Sequence, residues 1–372
     1  MASIERRADR PSLPWRARYR DPAGRQRSKS FARKVDAERF LTEIEAAKLA
    51  GRYIDPRLGR TRFAVLAERW YTSTAALKPS TRHQYRRLLD DHVMPMFAGA
   101  QVAALDRLAV AEWLAALLGR GVSPTRARDA YRVLRLVLEA GIAGGLLAVN
   151  PATGVRLPRV GPREGCFLTA AEVDRLAQAI RAPYGVLVHT AAYSGMRAGE
   201  LAALRVGRLD LLGGRAEVVE SSTEVAGKLV SGPTKTYARR TVRLPRSLCE
   251  ELGAYLAHRP GGRDGLVFTM PTGGPLRQSM VSSRYFKPAV RAAGLDPRLR
   301  FHDLRHTCAS LLIAQGATVK AVQAQLGHAS ATLTLDRYGH LFPDELDHLS
   351  ERLDRARAGV HAEPCGPLVA PR

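Results

Sequence analysis

The sequence predicts a multidomain fold that is mainly α-helical with small β-sheets. The chain has 372 residues, enough for two or three domains of roughly 150 residues. Stretches containing proline and glycine, Ile54–Arg62 and Leu157–Gly165, are predicted linkers. Between them apolar residues recur at helical spacing, whereas strand-like runs are short. The predicted domains are residues 1–57, 61–155 and 165–357, followed by a flexible tail over residues 358–372.

The first predicted domain is a small ββα-type module. Trp15–Arg20 alternates in residue type as a strand does, Asp21–Gly24 predicts a turn, and Arg25–Phe31 predicts a second strand. Lys34–Leu49 has apolar residues at helical spacing. Six residues between positions 16 and 29 are basic, so the two strands are suited to lie in a DNA groove. The alternative is a stabilising appendage with a solvated basic face.

The second predicted domain is helical throughout. Ser80 and Ser123 are predicted helix N-caps, and Pro124 stands at the favoured first position of a helix. Arginines on two of the helices could hold a DNA backbone, although a basic helix face is more often only solvated. The predicted helices are Phe63–Ser73, Pro79–Val93, Asp106–Leu118 and Ser123–Ala140.

The third predicted domain is mixed α+β. Thr169 is the predicted N-cap of a helix that runs to Ile180, and another helix ends near Ser194. Helices resume at Val281. Three strand-like runs lie between, and the last two are predicted to form a hairpin across Ser231–Thr236. These runs are Arg215–Glu220, Glu224–Val230 and Arg239–Leu244.

The charge of the chain favours a polyanionic partner. Lys and Arg number 58 against 35 Asp and Glu, which gives a net charge of +23. Self-repulsion of this size costs stability, so nucleic acid is the simplest explanation. A solvated basic surface in an Arg-rich composition is the alternative.

The cysteine positions and the lack of long apolar runs limit the cofactors and the cellular location that we expect. The four cysteines are far apart, so neither a zinc site nor a disulfide framework is indicated, and no metal or cofactor is expected. No apolar run approaches the length of a membrane span, and the N-terminal residues lack an apolar signal segment. We therefore expect a cytoplasmic, nucleoid-associated protein.

Two motifs contain residues that can hold a phosphate. Arg197 follows a flexible glycine at the start of a predicted helix, where a guanidinium and free backbone N–H groups suit an anion. His302, Arg305 and His306 fall on one face of a second predicted helix. The two histidines have the spacing of a zinc-ligand pair. Asp303 stands where that motif has its glutamate, and Arg305 would lie beside the metal, so zinc is disfavoured.

The order of the motifs is more informative than any one of them. A lone tyrosine is usually a packing residue, but Tyr338 follows His328 by ten residues near the end of a very basic chain. In this order the chain resembles the tyrosine recombinase (phage integrase) family, across the third domain and more loosely before it. The matching motifs are Ser-Gly-Met-Arg-Ala-Gly-Glu with Arg197, Pro-Thr-Lys-Thr with Lys235, His-Asp-Leu-Arg-His with His302 and Arg305, Leu-Gly-His with His328, and then Thr334 and Tyr338.

The resemblance implies a role for each of these residues. Tyr338 would attack a DNA phosphate and form a 3′-phosphotyrosyl link. Arg197 and Arg305 would hold the non-bridging oxygens, because guanidiniums stay charged and donate paired hydrogen bonds. His302 is the implied base, and His328 the implied hydrogen-bond donor to the phosphate.

The implied general acid for the departing 5′ oxygen is Lys235. Lys228, in a neighbouring strand-like run, is the alternative. Whether Tyr338 cleaves the DNA site held by its own subunit is left open.

The resemblance also implies partners. Double-stranded DNA with attachment-type sites and a homotetramer on that DNA are expected, and accessory bending or directionality proteins are further candidates. Past Tyr338, an apolar helical stripe is suited to dock on a neighbouring subunit, with packing on its own domain as the alternative. The stripe consists of Phe342, Leu346, Leu349 and Leu353.

The resemblance implies that residues 1–57 are an arm-type DNA-binding module and that residues 61–155 are a core-binding domain. This arm module favours an integrase of a phage or other mobile element over a chromosome-dimer-type resolvase. Two further hypotheses use the same scaffold or the same chemistry. One is a type IB-like topoisomerase, which relaxes DNA without exchanging partners, and the second is a catalytically silent DNA-binding regulator.

Overall fold

The computed structural model describes residues 2–22, 24–49, 53, 60–161, 165–233, 239–259, 262–342, 350, 353–355 and 357. The chain divides into two compact units, residues 1–162 and residues 163–372. Their boundary falls inside the predicted linker at residues 157–165. The finer division of the first unit near residue 57 stays a prediction. Within these ranges, none of the helices is long and apolar enough to cross a membrane.

The N-terminal module is a three-stranded antiparallel sheet with one helix. Its strands are β1 (Ser3–Arg6), β2 (Trp15–Arg20) and β3 (Gln26–Phe31), in the order β1-β2-β3, followed by α1 (Lys34–Leu49). Both predicted strands and the helix are confirmed. β1 is an addition to the predicted ββα module, because four residues are too short for their alternation to predict a strand.

The rest of the first unit is helical, as predicted, around a core that includes Phe63, Trp113 and Leu134. Ser123 Oγ accepts a hydrogen bond from the Arg126 N–H at 3.3 Å, which confirms that cap. The prediction that Ser80 is an N-cap is wrong. The N-cap is Lys78, two residues earlier, because Pro79 takes the first position of the helix. The helices are α2 (Phe63–Ser73), α3 (Pro79–Leu88), a π-helical turn (Leu89–Val93), α4 (Met94–Phe97), α5 (Arg107–Gly119) and α6 (Pro124–Ala143).

The second unit is the mixed α+β part of the chain. Thr169 caps its first helix through a capping box with Glu172, as the sequence predicts. The helices are α7 (Ala170–Ala179), α8 (Gly185–Ser194), α9 (Ala198–Ala203), α10 (Arg246–Ala257), α11 (Gln278–Met280), a π-helical turn (Val281–Phe286), α12 (Lys287–Ala292), α13 (Asp303–Ala314), α14 (Val319–Leu326) and α15 (Ala331–Tyr338). The strands are β4 (Leu209–Asp210), β5 (Arg215–Val218), β6 (Glu220–Val225), β7 (Lys228–Pro233) and β8 (Arg240–Arg243).

The strands of the second unit form two small antiparallel sheets. One has the order β4-β5-β8, and the other is the hairpin β6-β7. The prediction that Glu224–Val230 is one strand paired with Arg239–Leu244 is therefore wrong. Ala226 and Gly227 have φ of 50° and 75°, so they reverse the chain inside the predicted strand. Ala-Gly is a weaker turn signal than Asn-Gly, which explains why the sequence does not show it.

Two predicted features lie outside the described residues. Lys235 and most of its loop fall in residues 234–238, and two of the four residues of the apolar stripe after Tyr338, Leu346 and Leu349, fall in residues 343–349. The docking of that stripe stays a prediction.

Candidate active site

Tyr338 is the last residue of α15 and is only 1% exposed. His306 Nδ1 lies 2.7 Å from its hydroxyl oxygen. The ring of His328 is stacked parallel to the tyrosine ring, 6.3 Å between centroids. Burial raises the pKa of the phenol, and the charges of Arg305 and Arg337 oppose that rise. Tyr338 is thus a buried phenol held against imidazole groups, in a positive field.

Arg305 is a buried cation of the same site. The residue is 4% exposed, and its terminal nitrogens donate to the Gly195 carbonyl at 2.5 Å and the Leu326 carbonyl at 2.6 Å. These carbonyls lie at the C-terminal ends of α8 and α14, where backbone partial charge is negative. Burial first, and the charge of Arg197 second, lower the pKa of Arg305 to about 10, so it stays protonated near neutral pH. Arg305 therefore joins two helix ends and supplies charge to the site.

Arg197 lies at the N-terminus of α9, as the sequence predicts for a phosphate-binding arginine. Its guanidinium donates to Glu200 Oε1 at 2.8 Å, and a longer contact of 3.5 Å reaches the Gly327 carbonyl. Its side chain is 25% exposed, so part of the guanidinium remains open to a ligand.

Glu200 is a buried carboxylate shared by two arginines. It is 2% exposed and accepts hydrogen bonds from Arg197 and from both terminal nitrogens of Arg240, at 2.8 and 2.6 Å. Burial alone would raise its pKa, but Arg240 first and Arg197 second outweigh burial and lower the pKa to about 2. Glu200 thus anchors Arg197 to the start of β8.

Two glycines allow these groups to approach each other. Gly195 ends α8 and Gly327 ends α14, both with φ of 67°. A Cβ at Gly195 would lie 2.5 Å from the Leu326 side chain, and a Cβ at Gly327 would lie 2.5 Å from the Arg240 side chain. A larger residue would therefore require the Leu326 or the Arg240 side chain to move, and it would also have to adopt a left-handed φ that glycine tolerates best.

His328 follows Gly327 and has a buried partner. Its Nδ1 lies 2.9 Å from Oγ1 of Thr334, which is fully buried on α15. Burial first, and then the charges of Arg305 and Arg197, lower the pKa of His328 to about 4. The ring is therefore neutral near pH 7, and the contact with the Thr334 hydroxyl, which can donate or accept, fixes the orientation of the ring.

His302 and His306 are neighbours at the start of α13. Their rings are perpendicular, with centroids 5.2 Å apart. His302 keeps an exposed edge, but the protein atoms around its ring desolvate it, and this effect first and the charge of Arg305 second lower its pKa. Burial and then His302 lower the pKa of His306 to about 4. Among the described residues, no three or more His, Cys, Asp or Glu side chains are arranged to hold a metal ion.

The structure thus brings five of the six predicted residues to one site. Arg197, Arg305, His302, His328 and Tyr338 surround the ends of α8, α13, α14 and α15, whereas Lys235 lies outside the described residues. Lys228, the alternative to Lys235, is exposed beside the β6-β7 turn.

Sequence reasoning assigned no role to three residues of this site, Glu200, Arg240 and Thr334, and left His306 out of the predicted set. Spacing could have found two of them. Glu200 is three residues after Arg197, the capping-box distance, and Thr334 is four residues before Tyr338, on the same helix face. Arg240 has no such signal, because its partner is distant in the chain.

The site combines a buried tyrosine with arginines of a kind that can hold a phosphate. Comparison with known proteins identifies the family. The phage integrase family model matches residues 166–345. A putative prophage phiRv2 integrase of Mycobacterium tuberculosis is 32% identical over 343 residues, covering 88% of each chain. The integrase of Mycobacterium phage L5 is 29% identical and covers 70% of each chain.

Solved structures agree on the fold. The Tn1549 transposon integrase superposes with a TM-score of 0.67 at 18% identity, over 79% of this chain and 99% of that one. A lambda integrase, solved as a tetramer bound to a Holliday junction, gives 0.60 at 21% identity over 92% and 95%. The chain belongs to the phage integrase family and is a tyrosine-type site-specific DNA recombinase. The predicted multidomain, mainly α-helical fold is confirmed.

Proposed function

We propose that this recombinase uses Tyr338 to cleave and rejoin DNA at the attachment-type sites of a phage or other mobile element. The bond from the Tyr338 oxygen to phosphorus forms, and the bond from phosphorus to the 5′ oxygen breaks. The products are a 3′-phosphotyrosyl link and a free 5′ hydroxyl. Because the phosphoester energy is kept, the 5′ hydroxyl of another strand can reverse the step. The supporting observation is the buried Tyr338 hydroxyl held beside two histidines and Arg305 of its own chain.

The arginines stabilise the transition state in this proposal. Attack on phosphorus increases negative charge on the two non-bridging oxygens, and fixed guanidiniums need no reorganisation to meet it. Arg305 is already positioned by two carbonyls and Arg197 by Glu200. Both cations are therefore ordered before DNA binds.

The remaining roles follow the family resemblance. His328 donates a hydrogen bond to a phosphate oxygen, and Lys235 protonates the departing 5′ oxygen. His302, the implied base, has no hydrogen bond to the Tyr338 hydroxyl among the described residues. It is exposed at the start of α13, in a position to meet the DNA phosphate.

The DNA partner is bound in part by the N-terminal module. Arg16, Arg18 and Arg20 share one face of β2, while Ala17 and Tyr19 on the other face are buried toward α1. The arginine face is therefore not needed for the core of the module. The same face carries one carboxylate, Glu5 of β1, which pairs with Arg16 and Arg18, so the face keeps a net positive charge. A sheet face of this charge fits a DNA groove, so we assign it to arm-type sites.

A homotetramer on DNA is the proposed assembly, because the related lambda integrase was solved as a tetramer on a Holliday junction. Association with the nucleoid follows from DNA binding, and accessory bending or directionality proteins are further proposed partners.

The covalent intermediate is the test. The full chain is incubated with duplexes made from repeats that flank its coding region, each with a nick that lets the cleaved fragment diffuse away. A protein–DNA adduct should appear on a denaturing gel with the wild type and be absent with Tyr338→Phe, which should still bind the duplex. Absence of a wild-type adduct on every repeat, or an adduct with Tyr338→Phe, contradicts the proposal. DNA binding without an adduct would instead indicate the silent regulator.

A further inference from the structure

Two histidines at the start of α13 are candidates to accept the proton of the Tyr338 hydroxyl, and their contacts in the structure distinguish them. His306 Nδ1 lies 2.7 Å from the Tyr338 oxygen, the distance of a direct hydrogen bond. His302 contacts the His306 ring instead, at 5.2 Å between centroids. On the proposed function above, we propose that His306, rather than His302, takes the proton from the Tyr338 hydroxyl as that oxygen attacks phosphorus.

The surroundings of Tyr338 require a protein base. The residue is 1% exposed, so bulk water has little access to its hydroxyl. Among the described residues, the hydrogen-bond partner of the Tyr338 hydroxyl is His306. A proton leaving this oxygen therefore has an imidazole nitrogen as its nearest acceptor.

His306 has the protonation state that the step needs. The groups that face it are His302, Asp303 and Arg305 on α13, and Arg337 and Tyr338 on α15. Burial first, and then His302, favour the neutral ring, with smaller effects from Arg337 and Arg305, and together they outweigh the opposing charge of Asp303. A neutral imidazole has one nitrogen with a free lone pair, and Nδ1 is the nitrogen directed at the tyrosine.

The proton balance of the reaction is complete with this assignment. In cleavage, the proton moves from the Tyr338 oxygen to His306 Nδ1 as the bond from that oxygen to phosphorus forms. The 5′ oxygen receives a different proton, from Lys235 in the proposed function. In rejoining, His306 returns its proton to Tyr338 as the 5′ hydroxyl attacks. His302 is left free to contact the phosphate.

A substrate with sulfur in place of the bridging 5′ oxygen separates base from acid. A thiolate leaves without being protonated, so loss of the general acid matters little on this substrate, whereas loss of the base still slows attack. We expect His306→Ala to slow adduct formation by about 10²–10⁴-fold on both substrates. Lys235→Ala should cleave the ordinary substrate slowly and should regain most of its cleavage rate on the sulfur substrate. His258→Ala, an exposed histidine at the end of α10, is the matched control and should cleave as the wild type does.

The pH profile excludes a merely structural effect. On the sulfur substrate, wild-type cleavage should vary little from about pH 7 to about pH 9, because His306 is already neutral. Without the base only the phenolate reacts, so His306→Ala should accelerate about tenfold per pH unit until the phenol ionises. A structural defect would lower the rate without changing the shape of the profile. DNA binding and thermal melting of each variant are measured alongside.

The outcomes are distinct. Three results would each overturn the assignment. His306→Ala could cleave within about threefold of the wild-type rate, its cleavage could be restored by the sulfur substrate, or its rate could be independent of pH. If His302→Ala, and not His306→Ala, cleaves slowly on both substrates and gains rate as the pH rises, His302 is the base. If the wild type forms no adduct at all, the proposed function itself fails, so the two failures are distinguishable.

Discussion

Removing the charge of Glu200 tests how the site is held together. The carboxyl has a pKa of about 2 in the folded chain against 4.5 ordinarily. Each tenfold change in proton affinity corresponds to about 1.4 kcal/mol, so folding gains about 3 kcal/mol from the charged form. Glu200→Gln should lower the free energy of unfolding by about this amount at neutral pH, because it leaves Arg197 and Arg240 without their counter-charge. For a unit of about 200 residues the melting temperature should fall by about 6–12 °C.

The pH dependence has a defined sign. The folded pKa is depressed, so the contribution is fully present above pH 4.5 and is lost as the pH falls toward about 2. The difference between wild type and Glu200→Gln should therefore be constant from neutral pH down to about pH 5 and shrink below it.

The chain offers an internal control for this measurement. All three tryptophans, Trp15, Trp70 and Trp113, lie in the first unit, so their fluorescence follows that unit, while far-ultraviolet circular dichroism follows both. Glu200→Gln should shift the dichroism transition and leave the fluorescence transition unchanged. Glu250→Gln is the matched variant, because Glu250 forms an exposed pair with Arg246 and should cost less than about 1 kcal/mol. Equal effects of the two variants, or a difference that does not depend on pH, would refute the reasoning.

Two further predictions concern positioning and DNA contact. Thr334→Val removes the hydroxyl that contacts His328 at nearly unchanged side-chain volume, so it should slow adduct formation roughly tenfold. Thr334→Ser keeps a hydroxyl and should recover the rate. Thr332 is exposed on the same helix, so Thr332→Val is the control. If Thr334→Val cleaves at the wild-type rate, the hydroxyl does not orient the histidine. Arg18→Ala should weaken binding to arm-type sites about tenfold and reduce the slope of log affinity against log salt by about 1, whereas Arg39→Ala on α1 should change neither by that much. Equal losses in both variants would indicate a general charge effect.

Much of the fold could be predicted from the sequence, because its signals are local. Helix periodicity and caps such as Thr169 and Ser123 depend on residues within a turn or two, so they place the helices to within a few positions. The strands of the second unit were predicted less well. Pairing partners there are distant in sequence, and a single Ala-Gly turn reassigns β7 from β8 to β6.

The chemical groups of the site were also present in the sequence, as an ordered set of arginine, histidine and tyrosine motifs. Their order indicated the family before any distance was known. Glu200 shows what motif order leaves out. Its spacing from Arg197 is local, but Arg240 approaches it from another strand, and only that approach makes the carboxylate buried and doubly paired.

The sequence by itself predicted that Tyr338 would have two arginines and several histidines as partners, because the order of its motifs is a property of the chain and resembles that of the tyrosine recombinase family. Which histidine meets the tyrosine was decided only by the tertiary structure. His302 and His306 are four residues apart on one helix face, and local spacing treats them alike. The packing of α15 against α13 brings the hydroxyl to His306 and leaves His302 exposed.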